Sequence, residues 1–136
     1  MKKLVVVGNG MAGIACVEEI LKYEPRFDIT IFGDETHVNY NRIMLSSVLA
    51  GERAADEIVL NSLEWYQKHG ITLHRGIGRL SGPGKVAIDS SGETLQAPNI
   101  IIATGARPKD LPTVKRDGDT VITSRERARS RDSPMK

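Results

Sequence analysis

The sequence predicts an α/β fold with a mostly parallel sheet and a small antiparallel hairpin, and three observations predict it. Two short, uninterrupted apolar runs, "LVVV" near the start and "NIII" near residue 100, each lead into a glycine turn, the pattern of strands buried on both faces. Between the first run and the strand-like "FDITIF" lies a stretch with helical spacing of its apolar residues. Strand, helix and strand in that order make a βαβ unit, whose crossover sets the strands parallel with a right-handed connection.

Taken in order, Leu4–Val7 forms the first strand, and Ala12–Tyr23 carries Ile14, Val17, Ile20 and Leu21 at helical intervals until Pro25 stops the helix. Phe27–Phe32 is the second strand, rich in β-branched and aromatic residues. "RIMLSSVLAGE" predicts a short helix, "SLEWYQKHG" another ended by Gly70, and "ITLHRG" a strand. In "KVAIDSSGETLQA" two alternating runs flank Ser-Ser-Gly, which predicts the hairpin. Asn99–Pro108, "NIIIATGARP", supplies the last buried strand and a Thr-Gly turn. The elements up to residue 110 fit a single Rossmann-like, three-layer domain. Residues 111–136 are polar and end in alternating arginines, the composition of a solvated tail.

Composition narrows the function. With 40% hydrophobic and 26% charged residues the chain is of ordinary globular make-up, and a net charge of +2 is too small to imply a nucleic acid or a membrane surface as partner. No apolar run approaches the roughly 20 residues of a spanning helix, and "LVVV" is shorter than the 7–15 residues of a secretory core, so a cytoplasmic setting is expected. Cys16, the only cysteine, rules out an intramolecular disulfide; its place in the first helix predicts a small buried hydrophobe. His37, His69 and His74 have no ligand spacing, and no metal site is expected. His69 suits the negative end of a helix. Asp56 and Glu57 read as polar surface, and Trp65 and Tyr66, near Leu60 and Leu63, as core.

Gly8, Gly10 and Gly13 match G-x-G-x-x-G after a strand and at the opening of a helix. There the first glycine permits a tight turn, the second lets a diphosphate approach the backbone, and the third lets helix and strand pack closely. Met11 and Ala12, between the last two glycines, belong to the same phosphate-facing turn. An acidic residue at the end of the second strand would accept the ribose hydroxyls, but Gly33 stands where it is first sought, leaving Asp34 or Glu35. NAD and FAD share this fingerprint, and it does not separate them.

Five blocks in order, "VVVGNGMAG", "ITIFGDE", "NYNRIMLSSVLAGE", "LEWYQKHGI" and "IIIATGARP", resemble the N-terminal FAD-binding segment of the pyridine nucleotide–disulfide oxidoreductase superfamily. Within it, the likeness is to the large subunits of NAD(P)H-dependent assimilatory nitrite reductases, and it includes Gly33. The resemblance implies FAD as cofactor, with Gly8, Gly10 and Gly13 at the diphosphate and Glu35 or Asp34 at the adenosine ribose. It further implies Arg42 and Ser46 along the nucleotide, and Thr104 and Gly105 completing the site with Arg107 close by. A guanidinium at Arg42 matches phosphate oxygens with paired hydrogen bonds. Relatives that relay electrons through cysteines carry them in the region that here reads "NRIMLSSVL", so no thiol relay is expected.

The expectation is therefore the amino-terminal FAD-binding part of a longer NAD(P)H-dependent flavin oxidoreductase. Further domains would hold NAD(P)H, and this stretch alone would not transfer hydride. The alternative is a non-catalytic dinucleotide-binding or assembly module. Exposed sheet edges also suggest a homodimer.

Overall fold

The computed structural model describes residues 1–23 and 27–123, and the first apolar run forms an inner strand of a parallel sheet. In chain order the elements are β1 (Lys2–Val7), α1 (Met11–Tyr23), β2 (Phe27–Gly33), α2 (Leu45–Leu49), α3 (Leu63–Lys68), β3 (Thr72–Arg75), β4 (Gly78–Gly82), β5 (Lys85–Ile88), β6 (Thr94–Gln96) and β7 (Asn99–Ile102). Short 3-10 turns precede α2, at Arg42–Met44, and α3, at Asp56–Ile58. The parallel sheet has the order β3-β2-β1-β7, and a second, antiparallel sheet the order β4-β5-β6. Val7 is in register with Phe32 on one side and Ile102 on the other.

Strand alternation divides the core between the two faces of the parallel sheet. Leu4 and Val6 of β1 and Ile29 and Ile31 of β2 pack with Ile14 and Val17 of α1, Tyr66 of α3 and Ile71. Val5, Val7 and Phe32 point the other way, onto Val86, Ile88 and Ala97 around the antiparallel sheet. The result is three layers, helices over parallel sheet over antiparallel sheet. Each fully buried aliphatic side chain in them contributes roughly 1.5–3 kcal/mol.

Three readings of the sequence are corrected. Cys16 is exposed rather than buried. Helix α1 turns Gly13, Ile14 and Val17 onto the sheet, and Cys16, two positions beyond Ile14, falls on the outer face with Glu19. The hairpin is really part of a three-stranded sheet, because "GRLSG" adds β4 before the predicted pair. The last apolar run is not buried on both faces: β7 is an edge strand paired only to β1, with Ile102 exposed and Ile100 and Ile101 partly buried. Tyr66 is core and Trp65 packs against it, as expected, with Leu60 and Leu63 exposed nearby. The helix α1 is described to Tyr23; Pro25 lies outside the described residues, as do the arginines of 124–136.

From β1 the chain crosses by α1 to β2 on one side, and β7 lies on the other side of β1. The sequence order therefore reverses between β1 and β7. In an open α/β sheet, the carboxyl ends of strands at such a reversal diverge and leave a crevice between their loops.

Candidate functional site

A cleft of about 360 Å³ opens at that reversal, walled by the loops that follow β1, β2 and β7. The glycine loop supplies one wall, and each glycine there meets a different constraint. Gly8 has φ +120°, and a Cβ on it would lie 2.2 Å from the Ala103 carbonyl oxygen. Its N–H donates to the Phe32 carbonyl at 2.8 Å, while the Ala103 N–H donates to Val7 at 2.8 Å, so three strand ends are laced together there. A Cβ on Gly13 would lie 2.5 Å from the Gly8 carbonyl oxygen, and glycine is what lets α1 sit so close to the turn. A Cβ on Gly10 would meet no protein atom within 4 Å, although Gly10 lines the cleft. Only a group inside the cleft could require a glycine there for space.

The cleft wall continues into α1 through Met11 and Ala12. The first N–H groups of a helix have no partner within it and carry the positive end of its dipole. The first helical bond here runs from the Ile14 N–H to the Gly10 carbonyl at 3.1 Å, and the first turn of α1 contains no acidic residue. This end of α1 suits an anion.

Asp34 and Glu35, just past β2, both line the cleft, as does Arg42. Arg42 Nη2 donates to Glu35 Oε1 at 2.6 Å, and its guanidinium lies over the Tyr40 ring, 5.5 Å from the centroid. The Glu35 carboxylate raises the Arg42 pKa and so holds its charge firmly. The pair is partly exposed, which limits its worth to about 0–1 kcal/mol, so either partner can turn to a ligand at little cost. Arg42 is set in place by Asn41, whose side chain accepts the Ile43 N–H at 3.1 Å and caps the 3-10 turn.

On the opposite wall stand Thr104, Gly105 and Arg107. Gly105 has φ +75°, a left-handed conformation that turns the chain away from β7. The structure thus brings to one cleft Gly8, Gly10, Met11, Ala12, Asp34, Glu35, Arg42, Thr104, Gly105 and Arg107. Gly13 lies behind the wall in a packing role, and Ser46, exposed on α2, is outside the cleft lining.

Sequence reasoning missed Asn9, Asn39 and Tyr66. Asn9 and Asn39 line the cleft. The Tyr66 hydroxyl donates to Asn9 Oδ1 at 2.8 Å, and burial pushes the phenol pKa up, so it stays a donor at neutral pH. Asn39 Nδ2 donates to Asn61 Oδ1 at 2.8 Å, and Asn61 Nδ2 to Glu18 Oε1 at 2.9 Å, which ties the 39–42 wall to α1. A Cβ on Gly33 would sit 2.8 Å from Asn9 Cβ, which accounts for the glycine at the end of β2. The acid is displaced to Asp34 and Glu35 so that Asn9 can pack there. Only the adjacency of Asn9 to the glycines was visible in the sequence.

Among the described residues no cluster of His, Cys, Asp and Glu could hold a metal ion, and no helix is long and apolar enough to cross a membrane. The architecture at the cleft instead matches a nucleotide diphosphate: an anion-seeking helix end, a glycine that makes room, and an arginine beside a carboxylate.

Comparison with known proteins shows the family. The family model for pyridine nucleotide-disulphide oxidoreductases matches residues 2–136. The assimilatory nitrate reductase electron transfer subunit of Bacillus subtilis is 50% identical over 114 residues, covering 82% of this chain and 15% of the relative. The nitrite reductase [NAD(P)H] of the same organism is 40% identical over 128 residues, covering 92% of this chain and 16% of the relative. Among solved structures, NADH:rubredoxin oxidoreductase from Clostridium acetobutylicum superposes with a TM-score of 0.68 at 27% identity, over 82% of this chain and 30% of that one. The chain thus spans about one sixth of the length of those two curated relatives.

Proposed function

Because the chain belongs to the pyridine nucleotide-disulphide oxidoreductase family, whose members are FAD-dependent oxidoreductases, we propose that its cleft binds the ADP half of FAD. In a longer protein of this family, electrons would pass from NAD(P)H through FAD to a downstream acceptor, a reading supported by relatives named nitrite reductase [NAD(P)H]. The observation that carries this reading is Gly10, a glycine that no protein contact requires, at the mouth of a helix end suited to an anion.

In this reading the N-terminal amides of α1 and the Arg42 guanidinium bind the diphosphate. Glu35 or Asp34 accepts the ribose hydroxyls, and Thr104, Gly105 and Arg107 flank the nucleotide where the chain leaves β7. FAD supplies the hydride and electron chemistry when bound. The chain's own residues bind and orient; none of them needs to titrate. The same proposal places the protein in the cytoplasm, where a soluble nicotinamide donor is available, and includes a homodimer formed through the edge strand β7.

Titration of the chain with FAD, ADP and NAD, following the visible flavin band and thermal melting together, tests it. FAD and ADP should each raise the melting temperature and NAD should not; a ligand at a hundred times its Kd adds about 2.7 kcal/mol. A chain whose melting responds to none of the three does not carry this site.

A further inference from the structure

Tyr66 reaches the glycine loop from outside the cleft. It sits on α3, is 2% exposed, and packs among the aliphatic side chains between α1 and the parallel sheet. Its ring is core, but its hydroxyl donates to Asn9 Oδ1 at 2.8 Å, and Asn9 stands between Gly8 and Gly10 in the cleft wall. The Asn9 side chain is also pressed against the end of β2, where only Gly33 leaves it room. Asn9 thus has its amide oxygen held from the core and its Cβ held by the end of β2. One buried hydroxyl therefore ties α3 to the glycine-loop wall of the cleft without itself lining the cleft.

We propose that Tyr66 is a positioning residue for nucleotide binding, holding the Gly8–Gly10 loop in its binding conformation through the Asn9 side chain. The inference rests on the nucleotide reading of the cleft and adds to it a residue that touches no ligand. The physical reason lies in the glycines. A loop with glycine on both sides of Asn9 has unusually many backbone conformations, and freezing them at the moment of binding would weaken affinity. A tether from the core freezes them beforehand. Phenylalanine in place of Tyr66 would keep the ring in the core and release only the tether.

The test is calorimetric titration with ADP of the full 136-residue chain, its Tyr66→Phe and Asn9→Ala variants and the double variant, below the melting temperature of each. Tyr66→Phe should weaken ADP binding about five- to tenfold, the equivalent of one hydrogen bond's net worth. The double variant should bind no more weakly than Asn9→Ala, because the two side chains act as one unit. A merely structural tyrosine would lower the melting temperature of the free chain and leave the ADP Kd unchanged, and that result overturns the inference. Independent, additive losses in the double variant overturn it as well. Should Tyr66→Phe not fold, Gly33→Ala reads the same tether, since its methyl group displaces Asn9 while Tyr66 stays intact; an unchanged Kd there overturns it too. If the unmodified chain binds no ADP, the nucleotide reading itself fails and this inference with it. If it binds and Tyr66→Phe binds equally well, only the positioning role is lost.

Discussion

A methyl group added to each of Gly8, Gly10 and Gly13 would meet three different surroundings: the backbone just past the end of β7, nothing, and the backbone of the glycine turn. The difference makes the turn separable by mutation. Gly13→Ala places its Cβ 2.5 Å from a carbonyl oxygen that has little freedom to retreat, and should lower the stability of the free chain by about 1–3 kcal/mol. Gly10→Ala should change stability by less than about 1 kcal/mol, most of it from a poorer residue at the start of α1. Yet it should weaken FAD or ADP roughly ten- to hundredfold, because in the proposed site the methyl group would stand where the diphosphate comes closest. Urea denaturation beside ligand titration separates the two effects. If Gly10→Ala binds as well as the parent, the approach of a ligand to that backbone is excluded. Arg42 is a gentler case: its ion pair with Glu35 is half-exposed, so the structure keeps the guanidinium charged and near the cleft without committing it there.

At the scale of elements, the cleft is held open by polar ties between pieces far apart in sequence. Asn61, 5% exposed, links Asn39 in the cleft wall to Glu18 on α1. Asn61→Ala would leave Asn39 Nδ2 buried without an acceptor, and should cost about 1–3 kcal/mol by denaturant unfolding. Glu18→Gln keeps an acceptor for Asn61 and should cost clearly less; equal losses would mean that the charge of Glu18, not the hydrogen-bonded chain, carries the tie. Such ties mark where the sequence stops being readable. The βαβ unit, the glycine turn and the strand into Ala103-Thr104-Gly105 were legible because each is written in neighbouring residues. Strand β4 was not, since "GRLSG" has neither β-branched residues nor clean alternation and owes its place to pairing with β5. Cys16 was misread because apolar neighbours on both sides hid which arc of α1 faces the sheet. The tether from Tyr66 to Asn9 spans 57 positions, and an aromatic in a helix announces its ring but not the partner of its hydroxyl.

For the molecule as a whole, the two long sides of the parallel sheet are not equivalent. Among the described residues, β3 closes one edge and β7 the other, with β7 paired only to β1. Ile102, at the end of β7, is 60% exposed, and Ile100 and Ile101 are only partly buried, whereas the β1 residues facing them are fully packed. An unpaired, apolar strand edge is a template for another strand, and proteins that keep such an edge free usually blunt it with charge. No charged residue lies within β7. The edge therefore favours pairing over solvent, which is the physical basis for the proposed homodimer. Sedimentation of the chain across a range of concentrations should show dimers forming. Ile102→Lys should keep the chain monomeric while leaving its stability within about 0.5 kcal/mol, as expected for an exposed position. Monomers throughout in the unmodified chain would remove the dimer from the proposal. Dimers that survive Ile102→Lys would move the contact to another surface. Because the cleft opens at the same end of β7 that Ile102 marks, the substitution should also be titrated with ADP: if dimerisation and nucleotide binding share this edge, relieving the one will change the affinity of the other.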